Sequence, residues 1–158
     1  MWSYNFRNRS GTYTNSEFTI SEISGASSVN TVTFQPASGT VELQNDPSST
    51  SDNLVFRFNS SSWVTLKNLK LTNTDPSSYG TRLSDWQTRG ITVEGCTLTA
   101  NSSLNTTSTN LAAVYNSSSS SDITQDFTFK NNTVINPSYG LYLYGSSSSS
   151  ATDDNEIW

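Results

Sequence analysis

Histidine is absent from all 158 residues, and cysteine and methionine occur once each. Without an imidazole the chain has no Ser-His-Asp or Cys-His nucleophile and no histidine-ligated metal centre. The single cysteine, Cys96, cannot form an internal disulfide. It falls inside the apolar–polar alternation of Ile91–Thr99, where a thiol serves as a small buried hydrophobe. Charge is also scarce: 13% of residues are charged, the eight Lys and Arg stand singly, and the net charge is −5. That leaves no basic footprint for a phosphate backbone or an anionic membrane, so nucleic acid is excluded as a partner. No apolar run is long enough for a membrane span, and Met1–Arg9 lacks the apolar core of a signal peptide. There is no glycine-rich phosphate loop and no helical periodicity of useful length.

Serine, threonine and asparagine fill the gap, with serine and threonine alone at roughly a third of the chain, well above ordinary usage. So polar a chain often stays disordered, because it buries too little apolar surface to offset chain entropy. Here aromatics reach 11%, and apolar residues alternate with Thr, Asn and Lys in short runs. That pattern predicts an ordered all-β domain.

The runs repeat. Trp63–Thr74, Gly90–Asn101 and Asp126–Asn136 align, and Thr31–Phe34 begins the same way. Val64, Leu66, Leu69 and Leu71 match Ile91, Val93, Cys96 and Leu98, then Phe127, Phe129, Asn132 and Val134. Each segment alternates with the period of two that buries one strand face. The phase survives only if the chain bends at the shared corner, Lys67-Asn68, Glu94-Gly95 and Lys130-Asn131. Asn and Gly accept the left-handed backbone such a bend needs. Further strands are predicted at Thr40–Gln44, Leu54–Phe58, Leu111–Tyr115 and Tyr139–Tyr144, separated by polar spacers with two five-serine runs, Ser117–Ser121 and Ser146–Ser150. Strands of this kind stack as coils around a continuous interior. The predicted core is a ladder through Phe34, Leu66, Val93 and Phe129, continued by Leu69, Cys96 and Asn132, with Asn132 placed in an asparagine ladder at a turn.

The segments FKNNTVINPSYGLYLYG, ITVEGCTLTANS and WVTLKNLKLTNT resemble repeats of the right-handed parallel β-helix (pectate-lyase-like) superfamily. GTYTNSEFTISEISGASSVNTVTFQ resembles the opening coil of secreted, cell-surface β-helix proteins of Bacteroidetes-type bacteria. The resemblance implies one right-handed solenoid of about five coils over residues 1–158, at the cell surface or outside the cell. It implies no single activity, because β-helices host lyases, hydrolases, adhesins and inert stalks.

Candidate chemistry is thin. Carboxylates near cations are Asp85 with Arg82 and Arg89, then Glu94, Asp122 and Asp126. Paired-carboxylate hydrolysis needs two such groups on one face, and neighbouring coils about 4.8 Å apart could supply them. No Asp pair occupies strand positions, so these are read as solvated corners and the chain as a non-enzyme. Asp153-Asp154-Asn155 lacks the oxygen-rich surroundings of a calcium site; no metal or cofactor is expected. Tyr142, Tyr144, Trp86 and Tyr79 are candidate outward rings for a glycan. Asn59, Asn101, Asn105 and Asn116, like Asn8 and Asn131, stand in Asn-x-Ser/Thr triplets that could carry glycans.

The two ends read as coils without caps: Trp2–Arg9 as a strand entered midway, Asp154–Trp158 as the start of a further coil. Solenoids normally need caps, and bare edges template pairing. The expected partner is further β-helix, in the same chain or in a second copy stacked head to tail. Met1, Trp2, Tyr4 and Phe6 would then meet Glu156, Ile157 and Trp158. The reading taken is an extracellular filament subunit or surface stalk. A carbohydrate-binding or adhesin module is the alternative, and a polysaccharide lyase or hydrolase comes third.

Overall fold

The computed structural model describes residues 3–14, 17–47, 54–74, 83–86, 88–100, 107, 109–116, 124–143 and 156–157. Short strands follow one another with alternating burial, and the chain is all-β. The first coil is β1 (Ser3–Asn8), β2 (Gly11–Thr14) and β3 (Phe18–Ile20). The second is β4 (Thr31–Pro36), β5 (Val41–Asn45) and β6 (Phe56–Asn59), and the third β7 (Val64–Lys67), β8 (Lys70–Asn73) and β9 (Leu83–Trp86). A short β10 (Thr88–Arg89) precedes the fourth coil, β11 (Thr92–Glu94), β12 (Thr97–Thr99) and β13 (Val114–Tyr115). Likewise β14 (Thr124–Gln125) precedes the fifth, β15 (Thr128–Lys130), β16 (Thr133–Ile135) and β17 (Leu141–Tyr142); β18 (Glu156–Ile157) follows.

Like positions pair. Sheet A runs β1-β4-β7-β11-β15-β18, sheet B β2-β5-β8-β12-β16, and sheet C β3-β6-β9-β13-β17. Every strand pair is parallel, for example Val93 between Leu66 and Phe129. This is a parallel β-solenoid. The five strands of sheets B and C are separated by four coil-to-coil steps, so the solenoid makes about four turns, slightly different from the expected five coils.

The predicted ladder is present: Phe34 pairs with Leu66, Leu66 with Val93 and Val93 with Phe129. Phe6 extends it at one end and Ile157 at the other. The alternation buries Val64, Leu66, Leu71, Ile91, Val93, Leu98 and Phe127 almost completely, each such side chain contributing about 1.5–3 kcal/mol.

The corners follow the predicted residues. Asn68 (φ 55°), Gly95 (φ 64°) and Asn131 (φ 56°) stack in the left-handed region. Their main chains link coils, with the Asn68 amide donating to the Glu94 carbonyl and the Gly95 amide to the Lys130 carbonyl. Asn132 is not part of an asparagine ladder. Its Oδ1 accepts from the Cys96 amide at 2.8 Å and its Nδ2 donates to the Val93 carbonyl at 2.9 Å, replacing apolar packing with main-chain bonds. The asparagines that do stack are Asn45 and Asn73, in register and buried between sheets B and C; the Asn45 Nδ2 donates to the Leu54 carbonyl.

A second left-handed stack joins sheet C to sheet A: Trp63 (φ 59°), Gly90 (φ 67°) and Asp126 (φ 54°). β10 and β14 pair there.

Candidate self-association surface

All three sheets end, on one side, in the strands of the first coil: β1, β2 and β3. Their outer edges carry backbone groups that bond to no described strand. Tyr4, Phe6 and Tyr13 are 61%, 50% and 41% exposed along this rim. The Phe6 ring stacks on Phe34 (centroids 4.9 Å apart, 9° between planes), so its other face points along the axis. The bore opens here as a cavity of about 540 Å³ lined by Phe6, Phe18, Ile20, Phe34 and Phe56 and reaching Leu69. Sequence explains the opening. Gly11 stands in register with Val41, and it has no side chain to close the corner that Val41 and Leu69 fill on later coils. An ion pair, Arg57 to Glu17 at 3.0 Å, with Thr19 donating to Glu17, edges the mouth. At the opposite end Ile157 is 58% exposed.

Of the residues expected at the ends, Tyr4 and Phe6 stand on β1, and Glu156 and Ile157 stand on β18 in register with Thr128 and Phe129. Met1, Trp2, Trp158, Tyr79, Tyr144, Asn101, Asn105, Arg82, Asp122 and Asp153-Asp154-Asn155 lie outside the described residues.

On sheet C, Leu141 and Leu143 pack on the core, and Tyr142 alternates away from them. Tyr142 stacks on Tyr115 (5.5 Å, 11°) and meets Tyr139 at a tilt (5.6 Å). Tyr115 was not among the expected aromatics, because its approach to Tyr142 spans a coil and leaves no local signal; Tyr139, three residues before Tyr142, was not among them either. Trp86 holds the register of Asn59 on the same sheet. Asn59 is half-buried, and Asn116 is 3% exposed.

The carboxylates are neutralised structurally. Glu94 sits between two lysines of adjacent coils, Lys67 at 3.2 Å and Lys130 at 3.6 Å. Chiefly through the hydrogen bond from Lys67, its carboxyl is held below the ordinary range. Asp126 pairs with Arg89 at 2.8 Å, and that guanidinium lies 5.7 Å from the Trp63 ring centroid. Asp85 is in register with Phe58 on β9. Among the described residues no group of three or more His, Cys, Asp or Glu could hold a metal ion. No helix among them is long and apolar enough to cross a membrane.

Cys96 is buried, and its Sγ donates to the Leu66 and Glu94 carbonyls. Burial pushes the thiol up to about 11 from 9.0. Since the folded value exceeds the unfolded one, this stabilising contribution is complete below pH 9 and is lost as pH rises through 11. The difference between the two values corresponds to about 3 kcal/mol. Urea midpoints at pH 8 and pH 11 should therefore fall further for the native chain than for Cys96→Ala; equal falls would contradict a desolvated thiol.

No family model, no curated protein and no solved structure matches this chain.

Proposed function

We propose that the chain is a non-enzymatic, extracellular structural protein, a filament subunit or surface stalk built by stacking β-helical coils end to end. The observation that carries this reading is the first coil. Among the described residues three sheet edges end on the same side, where Tyr4, Phe6 and Tyr13 are exposed and Phe6 and Tyr13 line the mouth of the bore. Isolated exposed rings are common on proteins, but rings gathered around unpaired strand edges mark an association surface. Each ladder already repeats one contact from coil to coil, and a further coil would extend it with the same geometry. A head-to-tail contact of this kind does not close on itself and grows into a fibre.

The non-enzymatic part rests on the absence of histidine and on Glu94 and Asp126, whose charges are spent on Lys67, Lys130 and Arg89. The finer kinship, a right-handed β-helix of the pectate-lyase-like superfamily from Bacteroidetes-type cell surfaces, is proposed on the repeat segments alone.

Negative-stain electron microscopy tests the reading. Purified protein concentrated at neutral pH should form unbranched fibres one solenoid wide. A monodisperse monomer at every concentration would overturn it.

A further inference from the structure

The corner joining sheet C to sheet A holds an unusual backbone position. Trp63 (φ 59°), the residue before β7, lies in the left-handed region, and Ser60 (φ 55°) lies there three residues earlier. That conformation is least costly for Gly and Asn and most costly for a bulky side chain. The corner joining sheet A to sheet B meets the same demand with Asn68, Gly95 and Asn131. At the C-to-A corner the fourth and fifth coils use Gly90 and Asp126, and the third coil alone of these places an indole. Both neighbouring coils hold it there. The Trp63 amide donates to the Arg89 carbonyl at 2.8 Å, and the Trp63 carbonyl accepts from the Val32 amide at 3.0 Å. Strain that the surroundings enforce in this way gathers at ligand sites.

The residues around the indole supply a binding edge. Gly90 has no side chain, and an added Cβ would run into the ring, so the glycine lets the indole lie across to the next coil. The Arg89 guanidinium is 5.7 Å from the ring centroid, and its Nε donates to Asp126 Oδ2 at 2.8 Å. That bond leaves the two terminal nitrogens of Arg89 and the second oxygen of Asp126 without a partner among the described residues. The Arg89 and Asp126 side chains are 58% and 34% exposed, and Trp63 is half-buried. Three successive coils thus bring an aromatic ring, unpaired donors and an unpaired acceptor to one place. It lies on the flank of the solenoid, away from the exposed edges of the first coil.

The chemistry selects the ligand. The Arg89–Asp126 pair is neutral as a whole, so it offers no net charge to an ion. It sets donors beside an acceptor, and neighbouring sugar hydroxyls match that pattern because each both donates and accepts. The C–H face of a sugar ring supplies the apolar surface that an aromatic ring packs against. The tyrosines of sheet C are less suited, since Tyr115 and Tyr142 each cover a ring face of the other.

We propose that Trp63, Arg89 and Asp126 form a binding site for a neutral saccharide unit, with the indole against the sugar ring and the Arg89–Asp126 pair bonded to adjacent hydroxyls. The site is separate from end-to-end assembly, and it gives a fibre or stalk a place to hold a polysaccharide along its side.

Isothermal titration calorimetry with cellotetraose, mannotetraose, galactotetraose and tetragalacturonate tests the site. At least one neutral tetrasaccharide should bind, and the acidic one should bind more weakly than it. Trp63→Asn should weaken binding about tenfold, the equivalent of one lost ring contact. Asn accepts the same backbone conformation, as Asn68 and Asn131 do, so this variant should keep a urea midpoint close to the native one. Arg89→Gln leaves the indole in place and should weaken binding to a similar degree; it decides the matter alone if Trp63→Asn does not fold. Unchanged binding in Arg89→Gln or in folded Trp63→Asn would overturn the proposal. So would a failure of all three neutral tetrasaccharides to bind the native chain, or a preference for tetragalacturonate.

Discussion

Phe58→Ala is expected to lower folding stability by about 3–5 kcal/mol, the range for truncating a buried aromatic side chain. Phe58 has no exposed surface and, with Phe127, is among the largest fully buried side chains. Its ring lies 5.1 Å from that of Phe56 at a 60° tilt, a geometry that adds to simple burial. On β6 it stands in register with Ile20 of the coil before and Asp85 of the coil after. Hydrogen bonds fix the spacing of those strands, so the walls cannot close on the hole, and the cavity cost is paid nearly in full. Phe58→Leu keeps most of the volume and should cost less than half as much. Urea denaturation with an unchanged slope gives the measurement. A loss below about 1 kcal/mol would mean that the bore contracts around the vacancy.

Gly90→Ala is expected to cost about 3 kcal/mol, combining backbone strain with overpacking. At φ +67° an added Cβ is strained in any surroundings, and here it would also stand 2.2 Å from Cε3 of Trp63 and 2.5 Å from Cζ3. The ring is rigid and its own backbone is held at φ 59°, so it cannot step aside cheaply. Gly95→Ala supplies the control. Its φ of +64° is nearly the same, but the nearest atom to its added Cβ is the amide oxygen of Asn68, at the tip of a side chain that can rotate. The excess cost of Gly90→Ala over Gly95→Ala therefore reports the indole contact. Adding Trp63→Ala to Gly90→Ala should recover part of the loss, and the cycle should show favourable coupling of about 1 kcal/mol or more. Equal stability of the two glycine variants would refute the contact.

The core was legible because its signal is local. Val64, Leu66, Ile91, Val93, Phe127 and Phe129 alternate within single strands, and a common corner of Asn or Gly aligned the coils. The first coil was harder to resolve. Gly11–Thr14 is exposed throughout, so no apolar residue marks its inner face as strongly as Val41 or Leu71 marks later ones. Coil length also varies: Thr31 follows its partner Ser3 by 28 residues, and Asn132 follows Cys96 by 36. A strict period would have exposed β10, β14 and the 3-10 turn at Thr109–Leu111; none was anticipated.

The surface was least readable. Lys67, Glu94 and Lys130 meet only because each occupies the same place on successive coils. Arg89 was grouped with Asp85, its near neighbour in sequence, but its carboxylate is Asp126, 37 residues on. Asn132 broke an apolar column in the alignment, and the structure supplies the reason: its amide does for the main chain of Val93 and Cys96 what a methyl group could not. Nearest-neighbour stacking sets which residues touch, and that register appears only once every loop length is known.

The strand pairs shorten along the molecule, from six residues between β1 and β4 to two between β13 and β17 among the described residues. Strands lie across the long axis, so a pull along that axis loads successive coil interfaces in series, and the same tension passes through each. The interface with the fewest ladder bonds yields first. A tethered molecule under load would come apart in steps, leaving the wide rungs between the first two coils as the last anchor.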